Sequence, residues 1–246
     1  MPEVNFESLD IVREEYDWLI VSKPAPLLIH PTRPDDEFTL WHALQERYPA
    51  DNLFLLNRLD RETSGLVLVS RNKETSSCLG KMMMHRLIHK RYLALVSGAT
   101  PPNDRIDAPI GRKSDFEVSD IYVQQIIHPA GKAAQTHYRT LETRQYQGQA
   151  VSLLEIELLT GRMHQIRVHL QSTGHPVIGD KLYGPDPAHY LRVVEHGWSN
   201  DMLESLHLRR QALHASRLEF EWGGEVISIQ SELPKDLQSF WDSCKL

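Results

Sequence analysis

The feature that most constrains this chain is a short polar stretch at 57–66, which lies between two apolar runs of β type, 53–56 and 66–69. Two strands would fix the ends of such a loop, and Gly65 supplies a backbone conformation that other residues resist. Asp60 stands between Arg58 and Arg61, whose positive charge favours an ionised carboxylate. That state suits a nucleophile or a base. An Asp–Arg pair on the surface of a hairpin turn explains the same residues, and the stretch alone favours this interpretation, since such pairs are common and weak.

Length and charge set the class of protein. With 246 residues, the chain has room for one large domain or at most two small ones, and we expect a single domain over 1–246. No apolar run approaches the roughly 18 residues of a membrane-spanning helix, so we expect no membrane partner. The net charge of −6 means that a nucleic-acid partner would require a local basic surface.

The cellular compartment follows from the N-terminus and the cysteines. The first seven residues are acidic and lack the pattern of a secretory signal. Cys78 and Cys244 lie far apart in the sequence, which does not indicate a disulfide framework. A cytoplasmic location is the expectation.

A second polar stretch follows an alternating run that begins at Val151. The alternation predicts a strand to about Leu158, and Thr160 and Gly161 predict a turn and the start of a helix. Arg162 would then emerge at the junction between strand and helix. Further along the helix, one side would carry the polar side chains of His164, Arg167 and Gln171. A solvated polar face explains them equally well, and the five-residue spacing of His164 and His169 argues against a metal site.

The region after the central loop predicts a helix over 73–90 and then a buried strand over 90–98 that contains Tyr92. One end of the helix would present a basic surface, with an ordinary solvated face as the alternative. Its residues are Lys81, His85, Arg86, His89, Lys90 and Arg91.

Periodicity and turn residues predict the remaining elements. They are two strands in 9–21, a helix over 39–47 capped by Thr39, a helix or two in 186–211, a hairpin over 217–230 that turns at Gly223 and Gly224, and a closing helix over 234–241.

Four ordered motifs give the chain a resemblance, over about 16–230, to the RluA-type pseudouridine synthases. The motifs are the Lys-Pro to His-Pro stretch at 23–31, the Arg-Leu-Asp to Ser-Gly-Leu stretch at 58–66, the Lys-x-Tyr strand at 90–92, and the Thr-Gly-Arg-x-His-Gln-Ile-Arg-x-His run at 160–169. The chain departs from the family at Asn57, where a His is usual. This departure bears on packing or substrate choice.

The resemblance implies roles for particular residues. Asp60 matches the catalytic carboxylate, Arg162 its ionic partner, Tyr92 an active-site tyrosine and Ile166 a residue lining the uracil pocket. Arg58 matches a residue that enters the space left by a flipped nucleotide or holds the rearranged loop. For the RNA phosphates we expect a local basic surface formed by Lys81, Arg86, Lys90, Arg91 and Arg167. Neither a metal nor another cofactor is implied.

The implied fold is α+β, with a large, mostly antiparallel bent β-sheet, flanking helices and a central catalytic cleft. The 22 residues before Lys23 leave no room for the S4-type RNA-binding module of many relatives. The expected substrate is a uridine in a tRNA stem-loop, in large-subunit ribosomal RNA or in both, and the expected state is a monomer.

Two other functions fit parts of the sequence. A metal-free hydrolase would also use Asp60, but no second carboxylate stands at a convincing position. A non-catalytic RNA-binding or chaperone module would not need Asp60, Tyr92 and Arg162 together.

Overall fold

The computed structural model describes residues 9–31 and 38–246, so the acidic N-terminal stretch lies outside the described residues. The chain divides into two compact units, Met1–Lys90 with His214–Glu232, and Arg91–Leu213 with Leu233–Leu246. Within the described part, no helix has the length and apolar character needed to cross a membrane. Cys78 is exposed, Cys244 is buried, and both are free thiols.

The first unit is built on a mostly antiparallel sheet. Its strands are β1 (Asp10–Glu14), β2 (Trp18–Lys23), β3 (Phe54–Leu55), β4 (Ser64–Ser70), β11 (Leu213–Trp222, from His214 onward) and β12 (Glu225–Gln230). β2 pairs with β1 and β4, β3 pairs with β4, and β12 pairs with β11, all antiparallel. β11 runs parallel to the start of β4. Since every residue of β4 is buried, this strand forms the centre of the unit.

Two helices belong to the first unit, α1 (Leu40–Arg47) and α2 (Lys73–Met84). The Thr39 hydroxyl accepts a hydrogen bond from the His42 amide, which confirms the predicted cap. The core contains Trp18 of β2, Leu66 and Leu68 of β4, and Phe220 of β11.

The predicted helix over 73–90 is too long at its C-terminal end. Arg86 adopts a left-handed conformation with φ 60°, which breaks the helix after Met84. Ile88 then enters the core of the first unit, and the next strand begins at His89. His89 and Lys90 therefore lie on a strand.

The second unit contains four strands in the order β5 (His89–Ser97, from Arg91 onward), β10 (Gln149–Leu158), β9 (Gln135–Tyr146) and β6 (Asn103–Asp107), each antiparallel to its neighbours. A separate two-stranded sheet joins β7 (Ile110–Arg112) to β8 (Gln125–Ile127). The helices are α3 (Gln165–Ser172), α4 (Ala188–His196), α5 (Met202–Leu206) and α6 (Lys235–Ser243). The hairpin, the closing helix and the two helices in 186–211 are confirmed.

The helix α3 differs from its prediction in two respects. It begins at Gln165, because His164 takes a left-handed conformation with φ 55° that no helix interior accepts. Its first six residues are all buried, so the polar residues among them do not form a solvated face.

Candidate active site

Asp60 lies in the loop between β3 and β4 of the first unit, as predicted. The side chains of Arg58 and Arg61 are exposed, that of Asp60 is partly buried, and Leu59 is buried and anchors the loop. The Thr63 amide donates a hydrogen bond to the Asp60 carbonyl at 3.1 Å, which closes a tight turn around the carboxylate. The loop thus presents Asp60 between two exposed arginines on a fixed backbone.

Asn57 closes the neck of this loop. Its side chain is 6% exposed. Its Nδ2 donates to the carbonyl of Leu66 at 3.1 Å, and its Oδ1 accepts from the amide of Leu68 at 2.8 Å. The amide side chain therefore continues the backbone pairing of β4 beyond the end of β3, and this accounts for an Asn at 57.

Lys23, at the end of β2, holds the other side of the loop. Its side chain is 0% exposed, and its ammonium group donates to the carbonyl oxygens of Pro24 at 2.9 Å, Leu27 at 2.8 Å and Arg61 at 3.2 Å. The Leu27 amide donates to the same Arg61 carbonyl at 2.9 Å. These hydrogen bonds connect the segment that follows Lys23 to Arg61, the residue next to Asp60.

His30 lies close enough to Arg58 to sense its charge. Partial burial and the positive charge of Arg58 lower the pKa of His30. The stretch at 23–31 and the Asp60 loop therefore come together in the first unit.

Gly65 allows β4 and β11 to approach closely. It has φ +113°, and a Cβ atom built on it would lie 2.3 Å from the carbonyl oxygen of Ala215. Next to it, Ser64 Oγ lies 2.9 Å from His214 Nδ1, and His214 Nε2 lies 3.1 Å from Ser231 Oγ. These contacts fix the end of the loop to β11.

Tyr92 is buried in β5 of the second unit, opposite Ile156 of β10. Side chains alternate across a strand, so Arg91 points to the other face of the sheet. There it pairs with Glu155 at 3.1 Å, and Arg139 approaches the same carboxylate at 3.4 Å. Arg91 therefore belongs to an ion-paired sheet surface on the face opposite to Tyr92.

Lys90 is the last residue of the first unit. Its side chain is partly exposed, and burial lowers the pKa of its ammonium group. An ammonium group that is already partly desolvated differs from the freely solvated lysine expected of a basic surface.

Arg162 lies in an exposed turn between β10 and α3. Its Nε donates to the carbonyl of Ala133 at 3.1 Å, and its backbone amide donates to Gln165 Oε1 at 3.0 Å. Ile166 is buried in the first turn of α3. The backbone that carries the guanidinium group is thus held by the buried side chain of Gln165.

Arg167 is buried, and the prediction that it lies on an exposed basic surface is wrong. Its side chain is 8% exposed, and its Nε and Nη2 donate to the two carboxylate oxygens of Asp180 at 2.6 and 2.9 Å. Asp180 also accepts from the amides of Leu182 and Tyr183. Burial alone would raise the pKa of Asp180, but Arg167 and these amides outweigh burial and lower it. The pair is a structural element inside the second unit.

The two units divide the predicted site residues. Asp60, Arg58 and Lys81 belong to the first unit, and Lys81 is exposed in the last turn of α2. The predicted site residues that belong to the second unit are Tyr92, Arg91, Arg162, Ile166 and Arg167. The pairing of Asp60 with Arg162 joins residues of both units and stays a prediction.

Sequence reasoning assigned no role to two residues on which the site depends: Lys23 and Gln165. Lys23 lies in a recognised motif, and the run at 160–169 includes Gln165, so the motifs marked their positions. Their hydrogen bonds to distant segments carry no local pattern.

Comparison with known proteins gives the family. The sequence profile of the RNA pseudouridylate synthase family matches residues 17–172. The ribosomal large subunit pseudouridine synthase D of Haemophilus ducreyi is 34% identical over 99% of this chain and 74% of its own length. The protein of the same name from Nitrosomonas europaea is 37% identical over 93% of this chain and 63% of its own length. The chain thus spans about two thirds to three quarters of the length of these relatives.

Solved structures give the fold. The human RNA pseudouridylate synthase domain containing 1 superposes with a TM-score of 0.75 at 28% identity, covering 100% of this chain and 91% of the human chain. The human RNA pseudouridylate synthase domain containing 4 superposes with a TM-score of 0.73 at 22% identity, covering 97% and 94%. The predicted α+β pseudouridine synthase fold is confirmed, and the chain belongs to the RNA pseudouridylate synthase family.

Proposed function

We propose that Asp60 is the essential carboxylate of this RNA pseudouridine synthase and that its substrate is a uridine in large-subunit ribosomal RNA. The observation that carries the first part is the fixation of the Asp60 loop by Lys23 and Asn57, through hydrogen bonds on both sides of the carboxylate. Catalytic groups require such fixed placement, since small displacements reduce rates strongly.

The reaction sets the chemical demand. The glycosidic bond between N1 and C1′ of uridine breaks, the uracil rotates, and a new bond forms between C5 and C1′. C5 loses its proton and N1 gains one, so atoms and charge balance without any oxidant or reductant. An ionised carboxylate serves either as a nucleophile or as an aid to elimination, and Asp60 takes one of these roles.

The second unit supplies the remaining roles. Tyr92 stacks on the base and assists proton transfer, Ile166 lines the uracil pocket, and Arg162 keeps the carboxylate ionised and oriented. Support comes from the match of all three residues to family motifs and from the burial of Tyr92 and Ile166. Arg58 is exposed beside Asp60 and takes the space of the flipped nucleotide.

RNA binding depends on local positive charge, because the whole chain carries a net charge of −6. Lys81 and Arg86 are exposed at the end of α2 and offer cations to phosphates. RNA affinity should fall steeply with salt, and the salt slope should decrease by about one for each of Lys81→Ala and Arg86→Ala. Lys73→Ala, at the opposite end of α2, is the control. A parent affinity that stays flat from low to moderate salt would refute the basic surface.

The choice of ribosomal RNA rests on the names of the relatives, two of which are ribosomal large subunit synthases. The test is tritium release from uracil C5, with total tRNA and large-subunit ribosomal RNA in parallel. Release from ribosomal RNA supports the proposal, and release from tRNA alone contradicts it. Tight, salt-sensitive binding without release from either would favour the non-catalytic binding module. The monomeric state and the cytoplasmic location stay predictions.

A further inference from the structure

The side-chain amide of Gln165 uses its full hydrogen-bonding capacity in the interior of the second unit. The residue is 2% exposed. Its Oε1 accepts from the hydroxyl of Thr160 at 2.8 Å and from the amide of Arg162 at 3.0 Å. Its Nε2 donates to the carbonyl of Gln135 at 2.9 Å and to Thr136 Oγ1 at 3.0 Å. An amide has two acceptor sites and two donor hydrogens, so no capacity is left over.

Backbone groups fix the orientation of this amide. The Arg162 amide is a donor and the Gln135 carbonyl is an acceptor, so Oε1 must face Arg162 and Nε2 must face Gln135. A rotated amide would place two donors together at one end and two acceptors together at the other. Thr160 Oγ1 also accepts from the Gln135 amide at 2.9 Å, which closes the ring of contacts.

His169, which is 0% exposed, belongs to the same hydrogen-bond network, and its donor and acceptor atoms are fixed as well. Its Nε2 lies 2.9 Å from the carbonyl of Ala108, which can only accept, so Nε2 carries the hydrogen. Nδ1 is then the acceptor for the Thr136 hydroxyl at 2.8 Å, and this leaves Thr136 Oγ1 free to accept from Gln165. Burial lowers the pKa of His169 and keeps it neutral, as this arrangement requires.

This network reaches the Arg162 turn at two points. Gln165 holds the Arg162 backbone amide, and it also holds the Gln135 carbonyl in the segment whose Ala133 carbonyl accepts from Arg162 Nε. The Gln165 side chain therefore links the backbone that carries the guanidinium group to the segment at the start of β9 whose Ala133 carbonyl the guanidinium contacts.

We propose that Gln165 is a positioning residue for Arg162, and that Thr136 and His169 hold its amide in the required orientation. The proposal rests on the role of Arg162 in the proposed function. Its consequence is that Gln165 acts on the chemical step through Arg162 and not on RNA affinity, because the amide is buried and contacts no surface.

The primary variant is Gln165→Glu, which keeps shape and size but replaces two donor hydrogens by an acceptor oxygen facing Gln135 and Thr136. In a tritium-release assay we expect kcat to fall about a hundred-fold, with KM for RNA within about threefold of the parent. Lowering the pH should recover part of the loss relative to the parent, because a protonated carboxyl group donates to the Gln135 carbonyl. Gln171→Glu, exposed on the same helix, is the matched control and should leave both constants unchanged.

A second variant keeps the proposal testable if Gln165→Glu does not fold. Thr136→Val removes the hydroxyl that orients the amide but leaves Gln165 in place, and we expect a loss in kcat of about tenfold with KM unchanged. A parent-like kcat in either folded variant, or a loss carried by KM, would overturn the proposal.

Combination with Arg162→Ala separates positioning from general damage. In single-turnover assays, Gln165→Glu should reduce the rate of the Arg162→Ala protein less than about threefold, because there is no guanidinium left to position. An undiminished hundred-fold loss in that background would contradict the inference. A parent-like rate for Arg162→Ala alone would refute the proposed role of Arg162 together with this inference, whereas an inactive Arg162→Ala beside a fully active Gln165→Glu would refute the inference alone.

Discussion

The ammonium group of Lys23 donates a hydrogen bond to the carbonyl oxygen of Arg61 at 3.2 Å, and so joins a fully buried side chain to the residue that follows Asp60. The carbonyl oxygens of Pro24 and Leu27 also accept hydrogen bonds from this ammonium group. Lysine is seldom buried without such partners, because a desolvated ammonium group is costly. Its position indicates that the Asp60 loop depends on Lys23 for its shape.

Substitution Lys23→Met should destabilise the protein and reduce catalysis together. The change keeps most of the side-chain volume but removes the ammonium donor from the carbonyl oxygens of Pro24 and Leu27 and one of the two donors to Arg61, which costs about 2 to 4 kcal/mol in the free energy of unfolding. Urea denaturation measures the first effect and tritium release the second. Lys235→Met, on the exposed side of α6, is the control. A stable and fully active Lys23→Met protein would show that the loop holds its shape without the ammonium group.

Substitution Asn57→Asp should make activity depend on pH. Burial and the facing Leu66 carbonyl would raise the pKa of the introduced carboxyl group. Below that pKa the protonated group donates to Leu66 and accepts from Leu68, as Asn57 does; above it the donor is lost. Stability relative to the parent should therefore decrease as the pH rises above about 4, the ordinary pKa of Asp, and activity should decrease as the pH rises through the raised pKa. Asn52→Asp, which is exposed, should show no such trend; a flat profile for Asn57→Asp would contradict the neck contact.

Substitution Gly65→Ala should prevent the close approach of β4 and β11. The added methyl group would meet the Ala215 carbonyl oxygen at 2.3 Å, and φ +113° is unfavourable for any side chain. We expect a loss of about 2 to 5 kcal/mol in the free energy of unfolding. Gly148→Ala carries similar backbone strain at φ +81° but meets open space, and should cost about 1 kcal/mol. Equal losses in thermal or urea denaturation would refute the packing argument.

Substitution Asp180→Asn should destabilise the second unit, because its stability depends on the buried ion pair of Arg167 and Asp180. Removing the charge leaves the buried Arg167 guanidinium without an anionic partner and replaces one acceptor oxygen by an NH2 donor. We expect a cost of about 3 to 5 kcal/mol in the free energy of unfolding. Because the pKa of Asp180 is lowered in the folded state, its contribution is present above the unfolded value and is lost as the pH falls through the folded value.

The stability difference between parent and Asp180→Asn should therefore be largest at neutral pH and decrease below about pH 4. Asp201→Asn, which breaks the exposed pair of Asp201 with Arg192, should have no measurable effect on stability. A parent-like unfolding curve for Asp180→Asn at pH 7 would contradict this account.

Elements with a local signal were predictable from the sequence. The Thr39 cap, the strand at 18–23, the hairpin turning at Gly223 and Gly224 and the helix after Pro234 depend on residues next to one another. The C-terminal end of α2 was not predictable, because a left-handed Arg86 and the burial of Ile88 are consequences of tertiary packing. The pattern there continued to indicate a helix.

The site was predictable where motifs mark it and not where long-range contacts build it. Asp60 was placed correctly on its loop, since flanking apolar runs define that loop. Arg167 resembles a residue of a polar helix face until Asp180, thirteen positions further on, is found beside it. In the same way, Lys23 bonds backbone carbonyl groups, and Gln165 bonds the Gln135 carbonyl and the Arg162 amide besides two threonine hydroxyls. Backbone groups recur along the whole chain, so no sequence pattern identifies them as partners.

The role of Asp60 is tested by tritium release from C5-labelled large-subunit ribosomal RNA by the parent and by Asp60→Asn, with RNA binding measured for both. Asp201→Asn is the control for replacing a carboxylate elsewhere. We expect release by the parent and by the control, none by Asp60→Asn, and RNA affinity within about threefold for all three proteins, since one neutralised acid changes few phosphate contacts. Release by Asp60→Asn at the parent rate would show that another group carries the reaction.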